Sequence, residues 1–482
     1  MGLLHMDDHG NPHFVYDRQW LASADAFPLS ISLPLNRPTH PSAAVGAVIW
    51  GLLPDNDTIL QGWGSRFHVS PRNPVALLAH VGEDCAGAVQ FVTPERLPHV
   101  LSGAADGIER LSSADVAARL SQVRRDVGSG RWLGDIGQFS LAGAQAKIAL
   151  LRLDDGWAVP SGRIPTTHIL KPPGTDYTGF VENEMFCLRL ARAMGLPTAA
   201  SEQWELAGET AICVERYDRL QTDAGWVRVH QEDFCQALGV MPQIKYQNEG
   251  GPGAADLAGV LWAHASQPRR DVELFFNALV FNYLIGGTDA HAKNYSLLLG
   301  SGGEIRLAPL YDISSALPYP QLQKRKIKLA MKMGSHYRWW DIRLGDWRAT
   351  AEAMRLDSDA AMKSLASIAC SCPTWPHSNA SCCSRRVSTT PCWKRWCMKS
   401  SAVANAAFDS SASAPDHPRR HTRSRLLAGI AKSSTSRSPC AAASASTASA
   451  SRMPESGSRA FSHASNCRLL SLLNAPSSLN GP

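Results

Sequence analysis

A change in composition near residue 370 most constrains what this chain of 482 residues can fold into. The segment 370–482 holds 14 of the 48 Lys and Arg residues but only three of the 42 acidic ones. Its formal charge is therefore +11, whereas the 34 basic and 39 acidic residues before it give −5. The segment is rich in Ser, Ala, Arg and Pro and shows no sustained helical or strand periodicity. We therefore expect the folded core to lie in residues 1–368 and not in a tail spanning 369–482.

Three interpretations of the tail are open. It could be a basic arm for nucleic acid or a zinc site, but Cys370-x-Cys372 and Cys382-Cys383 lack the CxxC pairs of a zinc ribbon, and His377 has no partner at ligand spacing. It could be a disordered extension. The abrupt end of the helical pattern DSDAAMKSLASIA favours a third interpretation, the out-of-frame translation of a GC-rich gene. We assign the tail no function.

The rest of the chain is typical of a soluble cytoplasmic protein without membrane contact. Its longest apolar run, Ala43–Leu53, falls short of the roughly 18 residues that span a bilayer. The first ten residues lack the basic and apolar regions of a secretory signal, and Met6 stands where myristoylation needs Ser or Thr. The four cysteines before residue 370 are scattered, as in a reduced compartment.

Periodicity divides the front of the chain into three α+β units, 1–105, 106–218 and 219–368. In the first unit, HFVYDRQWL and FPLSISLPL are typical of strands, and AAVGAVIWGLLP of a buried helix. The second is β-rich, with a hairpin turning at 154–156, a short strand HILKP and an amphipathic helix VENEMFCLRLARAMGL. The third is mostly helical. Its segment ELFFNALVFNYLI is apolar nearly all round, which predicts a buried central helix ending at Gly286-Gly287, followed by a polar loop and the strands YSLLL and IRLAPLYDIS.

The polar loop and the strand after it contain the residue types that phosphoryl transfer requires. Asp289 and Asn294 are spaced D-x-x-x-x-N, and Asp312 follows 18 residues later at the predicted end of a strand. A transferase needs one carboxylate to orient and deprotonate the attacking hydroxyl, and a carboxamide and a second carboxylate to hold Mg²⁺ against the triphosphate. Each residue alone would usually be a turn or cap residue. Behind a buried helix, the three together favour a catalytic loop.

Within the same loop, Lys293 could reach the transferred phosphoryl group as a point charge, and His291 is the better candidate for a structural hydrogen bond.

Two upstream segments contain further candidates for phosphate binding. Lys171 ends the strand HILKP and would bind the α- and β-phosphates. Glu184 could form an ion pair with Lys171, or Glu182 and Glu184 could simply favour the N-terminus of their helix, and the two interpretations are even. The segment 140–147, SLAGAQAK, is not a Walker A loop, although its small residues would let backbone N–H groups approach phosphate.

Taken together, these segments resemble the HipA family of bacterial serine/threonine protein kinases, the toxins of type II toxin–antitoxin modules. The resemblance covers roughly residues 10–366. It depends on motifs found in the family's order and spacing: LLPDN, ALLAHVGEDCAGAV, SLAGAQAKIALL, PTTHILKP, VENEMFCLRLA, VERYDR, QEDFCQALG, KYQNEGGPG, IGGTDAHAKNYS and LYDISSA. It implies a bilobal protein-kinase-like fold with an added N-terminal subdomain.

The resemblance also implies a role for individual residues. Asp289 would be the catalytic base, Asn294 and Asp312 would hold Mg²⁺, Lys171 would bind the phosphates of ATP, and Ser140 would be an autophosphorylation site whose modification ejects the phosphate loop. The remaining nucleotide contacts would come from the phosphate loop (Ala142, Gly143, Ala144, Gln145, Ala146, Lys147), the adenine hinge (Glu215, Arg216, Tyr217), the catalytic loop (His291, Ala292, Lys293, Asn294) and the segment around Asp312 (Tyr311, Asp312, Ile313, Ser314).

Family members pair with a small helix-turn-helix antitoxin of the HipB type that binds operator DNA, and the best-known ones phosphorylate glutamyl-tRNA synthetase. The resemblance implies these partners for this chain, with DNA contacted mainly through the antitoxin. The chain departs from the family by lacking an opening strand and by having its tail in place of the last helices, after about residue 366. A small-molecule kinase, a catalytically dead corepressor subunit and the remnant of a damaged gene are the alternative hypotheses.

Overall fold

A computed structural model describes residues 1–125, 140, 143, 145–174, 178–223, 225–371 and the strand 466–471. The first unit combines a sheet with short helices around one apolar core that includes Leu4, Phe14, Ile49, Leu77 and Phe91. Its elements are β1 (Gly2–Met6), β2 (Pro12–Tyr16), α1 (Arg18–Leu21), α2 (Ser42–Gly51), α3 (Asp57–Phe67), α4 (Pro74–Val81), β3 (Val89–Val92) and α5 (Leu97–Ser102). The buried helix predicted from AAVGAVIWGLLP is therefore present.

The second unit is an antiparallel sheet with a helix on each face. Its elements are β4 (Gly107–Leu111), α6 (Ser113–Arg125), β5 (Ile148–Leu153), β6 (Gly156–Ser161), β7 (His168–Lys171), α7 (Phe180–Ala193), β8 (Ser201–Leu206) and β9 (Glu209–Glu215), in the sheet order β4-β6-β5-β7-β9-β8. The two-residue strand period sets the packing. In β9, Ala211 and Cys213 join the core beneath α6, whereas Ile212 and Val214 join the core of α7 and the helical unit.

The third unit is mostly helical and surrounds the predicted central helix. After a hairpin of β10 (Arg219–Thr222) and β11 (Gly225–Arg228) come β12 (His230–Asp233), α8 (Phe234–Leu238), α9 (Ala254–His264), α10 (Pro268–Ile285), β13 (Ser296–Leu299), β14 (Ile305–Leu307), β15 (Lys328–Met333), β16 (His336–Arg338), α11 (Leu344–Ala353) and α12 (Ser358–Ser371). Helix α10 is buried along most of its length. Strands β12, β13 and β14 form a small sheet beside it. No helix among these described residues is long and apolar enough to cross a membrane.

Three local predictions differ from the structure. The segment FPLSISLPL forms only an isolated bridge between Ser30 and Leu33, because its prolines cannot donate to a ladder. The strand predicted over IRLAPLYDIS ends at Leu307, since Pro309 lacks a donor and Asp312 has a left-handed φ of 54°. Conversely, residues 101–135, whose polar sequence predicts a linker with one short helix at SADVAARLSQV, also contribute the edge strand β4.

The tail contributes one described strand, β17 (Asn466–Ser471), which lies between β1 and β3 and pairs antiparallel with both. This strand differs from our expectation that the whole of 369–482 would stay outside the folded core. Residues 372–465 and 472–482 lie outside the described part of the chain.

Candidate active site

The catalytic loop begins where α10 ends. Gly286 has a φ of +66°, and the next glycine donates its N–H to the carbonyl of Asn282 at 2.7 Å. A left-handed glycine closed by such bonds is a common helix terminus, because a side chain would be strained in this conformation. The turn directs the chain out of the core and into the loop Thr288–Asn294.

The loop brings the predicted base and the predicted amide ligand into direct contact. The Asn294 side-chain nitrogen donates to the Asp289 carbonyl at 2.7 Å, so its side-chain oxygen is the atom that remains for a cation. The Asp289 side chain is 56% exposed at the cleft. Partial burial raises the pKa of Asp289, the Tyr246 hydroxyl lowers it, and the nearby Asp312 carboxylate raises it further. The three residues of the predicted constellation therefore lie around one cleft.

A buried ion-pair chain links the second unit to Asp312. The Lys171 Nζ lies 2.7 Å from Glu184 Oε1 and 2.9 Å from Asp312 Oδ1. This geometry decides between the two interpretations of Glu184 in favour of the ion pair. Burial opposes ionisation of Asp312, but the charges of Lys171 and Lys147 lower its pKa to about 2. The Asp312 carboxylate is thus a permanent negative charge at neutral pH.

A cluster of lysines supplies positive charge in the same cleft. Desolvation and the charge of Lys171 lower the pKa of Lys147 to about 8, while Asp312 raises it. A β-carbon on Gly143, which has a φ of +102°, would approach Lys147 Nζ to 2.7 Å, so the phosphate loop passes close to this amine. Burial and mutual repulsion disfavour the charged form of lysines that lie this close together. A polyanion bound beside them would favour the charged form, so the cluster is suited to bind phosphates.

Lys293 is tied to the first unit rather than left to reach across the cleft. It is 5% exposed, and its ammonium lies 2.5 Å from Asp55 Oδ1. The other Asp55 oxygen contacts Lys245 at 2.9 Å. The Asp55 backbone N–H also approaches the Gly143 carbonyl at 3.4 Å. The Asp55 carboxylate of the LLPDN motif therefore connects the catalytic loop to the KYQNEGGPG segment, and the Asp55 backbone N–H adds a contact with the phosphate loop.

The Asp289 carboxylate has a hydrogen-bond partner that the sequence did not suggest. The Tyr246 hydroxyl donates to Asp289 Oδ1, and its ring packs edge-on against His291 with ring centroids 4.9 Å apart. Burial and the charge of Lys245 lower the pKa of His291 to about 3. His291 is thus neutral at physiological pH, and its Nδ1 has no hydrogen-bond partner among the described residues.

In the predicted adenine hinge, the charged side chain of Arg216 faces the protein interior. The Arg216 guanidinium turns into the molecule, where it contacts Asp218 at 2.9 Å and Asp84 at 3.3 Å. Glu215 ends β9 and pairs with His168 of β7. The Tyr217 ring lies 5.6 Å from the ring of Tyr311. These contacts fix the position of the segment 215–217.

The remaining predicted residues divide between the cleft and the core. Ala292 and Ile313 are buried in the helical core, so their side chains support the loops. Tyr311 donates to the Lys293 carbonyl at 2.9 Å, and Ser314 is half-buried. Ser140 is fully buried and donates from Oγ to the Leu52 carbonyl at 2.8 Å. Gln145, Ala146 and Lys147 are described and half-buried, whereas Ala142 and Ala144 lie outside the described residues.

Several buried polar atoms around the cleft could donate a hydrogen bond to a ligand or accept one from it. Both amide atoms of Gln145 and the second oxygen of Glu184 make no hydrogen bond within the described residues. A buried polar atom without a hydrogen bond lowers the stability of the fold, unless a bound ligand supplies the missing bond. The donor set of Asp312 and Asn294, one carboxylate and one carboxamide, fits Mg²⁺, which takes few protein oxygens when a substrate supplies phosphates. No group of three His, Cys, Asp or Glu ligands is present in the described part of the chain.

Sequence reasoning assigned no role to Asp55, Lys245 or Tyr246. Their motifs, LLPDN and KYQNEGGPG, stood out in the sequence but contain no recognisable catalytic pattern. Asp84 was likewise missed, although it contacts three guanidinium groups, those of Arg216, Arg219 and Arg228.

Comparison with known proteins gives consistent matches across the folded part. Residues 1–92 match the HipA N-terminal domain, and residues 139–375 match the HipA-like C-terminal domain. The chain is 37% identical to "Putative kinase Y4mE" of Sinorhizobium fredii, over 73% of this chain and 83% of that protein. It is 30% identical to the serine/threonine-protein kinase toxin HipA of Shewanella oneidensis, over 67% of this chain and 73% of that protein. A solved complex of HipA from that organism with HipB and operator DNA matches with a TM-score of 0.67 at 25% identity, covering 85% of this chain and 94% of the solved one. The predicted bilobal kinase-like fold is thereby confirmed.

Proposed function

The chain belongs to the HipA family of kinases, and we propose that it is an ATP-dependent serine/threonine protein kinase that acts as the toxin of a toxin–antitoxin pair. One observation carries this proposal. Lys171 bridges Glu184 and Asp312 in the cleft where Asp289 and Asn294 meet. An ion pair between a lysine on a strand and a glutamate on a helix fixes the position of the lysine ammonium, so that it can bind the phosphates of a nucleotide.

In the proposed mechanism, Asp289 accepts the proton of the attacking serine or threonine hydroxyl as that oxygen bonds to the γ-phosphorus of ATP. The bond between the γ-phosphorus and the β–γ bridging oxygen breaks, and ADP leaves. Its raised pKa makes it a better base than an exposed aspartate. Lys147 and Lys171 bind the phosphates and offset their charge. Asp312 and Asn294 would hold Mg²⁺, which when bound supplies further positive charge against the triphosphate. The backbone of 215–217 would contact the adenine.

We also propose that Ser140 is the autophosphorylation site. Its burial and its bond to the Leu52 carbonyl mean that the phosphate loop must leave its present position before Ser140 Oγ can reach a γ-phosphate. A phosphate adds a charge of about −2 and cannot return to a site built for a neutral hydroxyl. Such a modification would therefore hold the loop outside the cleft and stop further transfer.

The proposed partners follow from the relatives. The Shewanella HipA is solved together with HipB and operator DNA. We propose a comparable helix-turn-helix antitoxin for this chain, with DNA contacted mainly through it. The proposed substrate is a component of translation such as glutamyl-tRNA synthetase, and the proposed location is the cytoplasm.

Incubation with γ-labelled ATP tests this function directly. The wild-type chain should label itself and a translation component such as glutamyl-tRNA synthetase, whereas Asp289→Asn should lose transfer and keep nucleotide binding. Ser140→Ala should abolish self-labelling and retain transfer to the added protein. Labelling of small metabolites alone would indicate a small-molecule kinase. Nucleotide binding without any transfer would indicate a corepressor subunit.

A further inference from the structure

The candidate catalytic base is already hydrogen-bonded to a hydroxyl group of the same chain. Tyr246 donates its phenolic proton to Asp289 Oδ1. This is the type of bond that the hydroxyl of an acceptor serine must make before it loses its proton. Burial and the nearby Asp289 carboxylate raise the pKa of Tyr246, so the phenol stays protonated and remains a donor.

The loop that presents Tyr246 is held at several points. The Gly251 N–H donates to the Tyr246 carbonyl at 3.0 Å, and a β-carbon on Gly251 would approach the Ile244 carbonyl to 2.0 Å. Lys245 is fixed by Asp55 at 2.9 Å. Gln247 accepts a hydrogen bond from the backbone of Lys332 at 2.8 Å. The Tyr246 side chain is therefore presented to Asp289 by a constrained turn and does not reach it by chance from a free loop.

From this geometry we infer that Tyr246 is a specificity-determining residue of the acceptor site, whose hydroxyl occupies the place of the acceptor hydroxyl until a protein substrate displaces it. The inference rests on the proposed function, because it needs Asp289 to be the base. An acceptor must then offer more than a hydroxyl, since its remaining contacts have to compensate for the lost Tyr246–Asp289 bond. Small hydroxylated metabolites and water offer few such contacts, whereas a peptide segment offers many.

The substitution Tyr246→Phe tests this role with the full-length chain and a degenerate peptide library carrying one central serine. The peptide has to displace the hydrogen bond between Tyr246 and the Asp289 carboxylate. Removing this bond corresponds to about a tenfold gain in the affinity for the peptide. We therefore expect the apparent KM for the library to fall about tenfold, with kcat changed less than about twofold, and ATP hydrolysis without peptide to rise. The matched control is Tyr319→Phe, which removes a hydroxyl bonded to Asn183 Nδ2 at 3.1 Å, and which should leave both constants unchanged.

The split between KM and kcat separates displacement from positioning. If the Tyr246 hydroxyl leaves Asp289 before transfer, its removal should lower the KM for the peptide and leave kcat nearly unchanged. If the hydroxyl stays bonded to Asp289 during turnover, its removal should lower kcat instead.

Three results obtained with an active enzyme would overturn the inference by itself. A fall in kcat without a fall in KM would make Tyr246 a positioning residue that stays bonded during turnover. Unchanged constants in an active enzyme would remove any role at the acceptor site, and labelled phosphate on Tyr246 would make it a substrate. If neither the wild-type chain nor Tyr246→Phe transfers phosphate to any acceptor, the proposed function fails first and the inference fails with it.

Discussion

Replacing Glu232 by Gln should change how the stability of the protein depends on pH. Glu232 lies on β12, is 2% exposed, and accepts hydrogen bonds from Ser30 Oγ at 2.5 Å and from the Ile31 N–H at 2.8 Å. Burial raises its pKa to about 8, the two hydrogen bonds oppose this rise, and the charge of Asp233 adds to it. In the unfolded chain the pKa of a glutamate is about 4.3.

The magnitude follows from proton linkage. Between these two pKa values the folded protein binds a proton at Glu232 that the unfolded chain has released, so the free energy of unfolding falls as the pH rises. The slope is about 1.4 kcal/mol per pH unit, which amounts to about 4 kcal/mol from pH 5 to pH 8. Glutamine keeps the shape and the acceptor of Glu232 but does not titrate. The stability of Glu232→Gln relative to wild type should therefore rise by about 4 kcal/mol over this range.

Urea unfolding of both chains at pH 5, 6.5 and 8 measures this difference. The other buried groups nearby, including Asp233 with a pKa raised by burial to about 6 and His230 with a pKa lowered by burial to about 4, titrate in both proteins and cancel. A matched control is Ser30→Ala, which removes the hydroxyl that bonds to Glu232 but leaves Glu232 free to titrate, so its pH slope should follow that of wild type. Parallel curves for wild type and Glu232→Gln would refute the reasoning.

Other perturbations test the cleft and the loop that enters it. Lys171→Met removes the cation that pairs with Glu184, which is 1% exposed, so the free energy of unfolding in urea should fall by about 3–5 kcal/mol. A double variant that also carries Glu184→Leu should recover most of this loss. Asp55→Asn removes the charge that holds Lys293, so kcat should fall about tenfold and urea unfolding should show about 1–3 kcal/mol less stability; unchanged kcat would show that the tie is dispensable. Gly286→Ala forces a β-carbon into a φ of +66° and to within 2.8 Å of the Leu317 Cγ, which should lower stability by about 1–2 kcal/mol, and a smaller loss would mean that the turn relaxes.

The sequence predicted those parts of the site that depend on short spacing. Asp289 and Asn294 lie within one turn after a helix whose end is marked by two glycines, so local chemistry places them together. Lys171 and Glu184 are 13 residues apart on a strand and the following helix, and the pair was one of two interpretations weighed for Glu184. The Asp55–Lys293 pair, by contrast, joins residues 238 positions apart. Neither periodicity nor motif spacing contains information about such a contact, because it depends on how separate units pack.

The same limit explains the hinge. The sequence alone does not tell whether the Arg216 side chain faces a nucleotide or the protein interior. In the structure it faces the interior because Asp84 and Asp218 supply counter-charges there. A buried guanidinium needs such partners, and one of them comes from the first unit.

These contacts make the first unit part of the kinase and not an appendage to it. Asp84 faces three guanidinium groups on the segment that connects the two lobes, those of Arg216, Arg219 and Arg228, and Asp218 pairs with the first two of them. Without the first unit, these three buried cations would lose the Asp84 carboxylate, and a buried charge left without compensation costs several kcal/mol. Asp55 and Ser30 add further polar contacts from the first unit to the helical unit, including those with Lys293, Lys245 and Glu232. We therefore expect the second and third units to require the first unit for their stability. A conformational change in the first unit should also alter the contacts that hold the hinge and the catalytic loop.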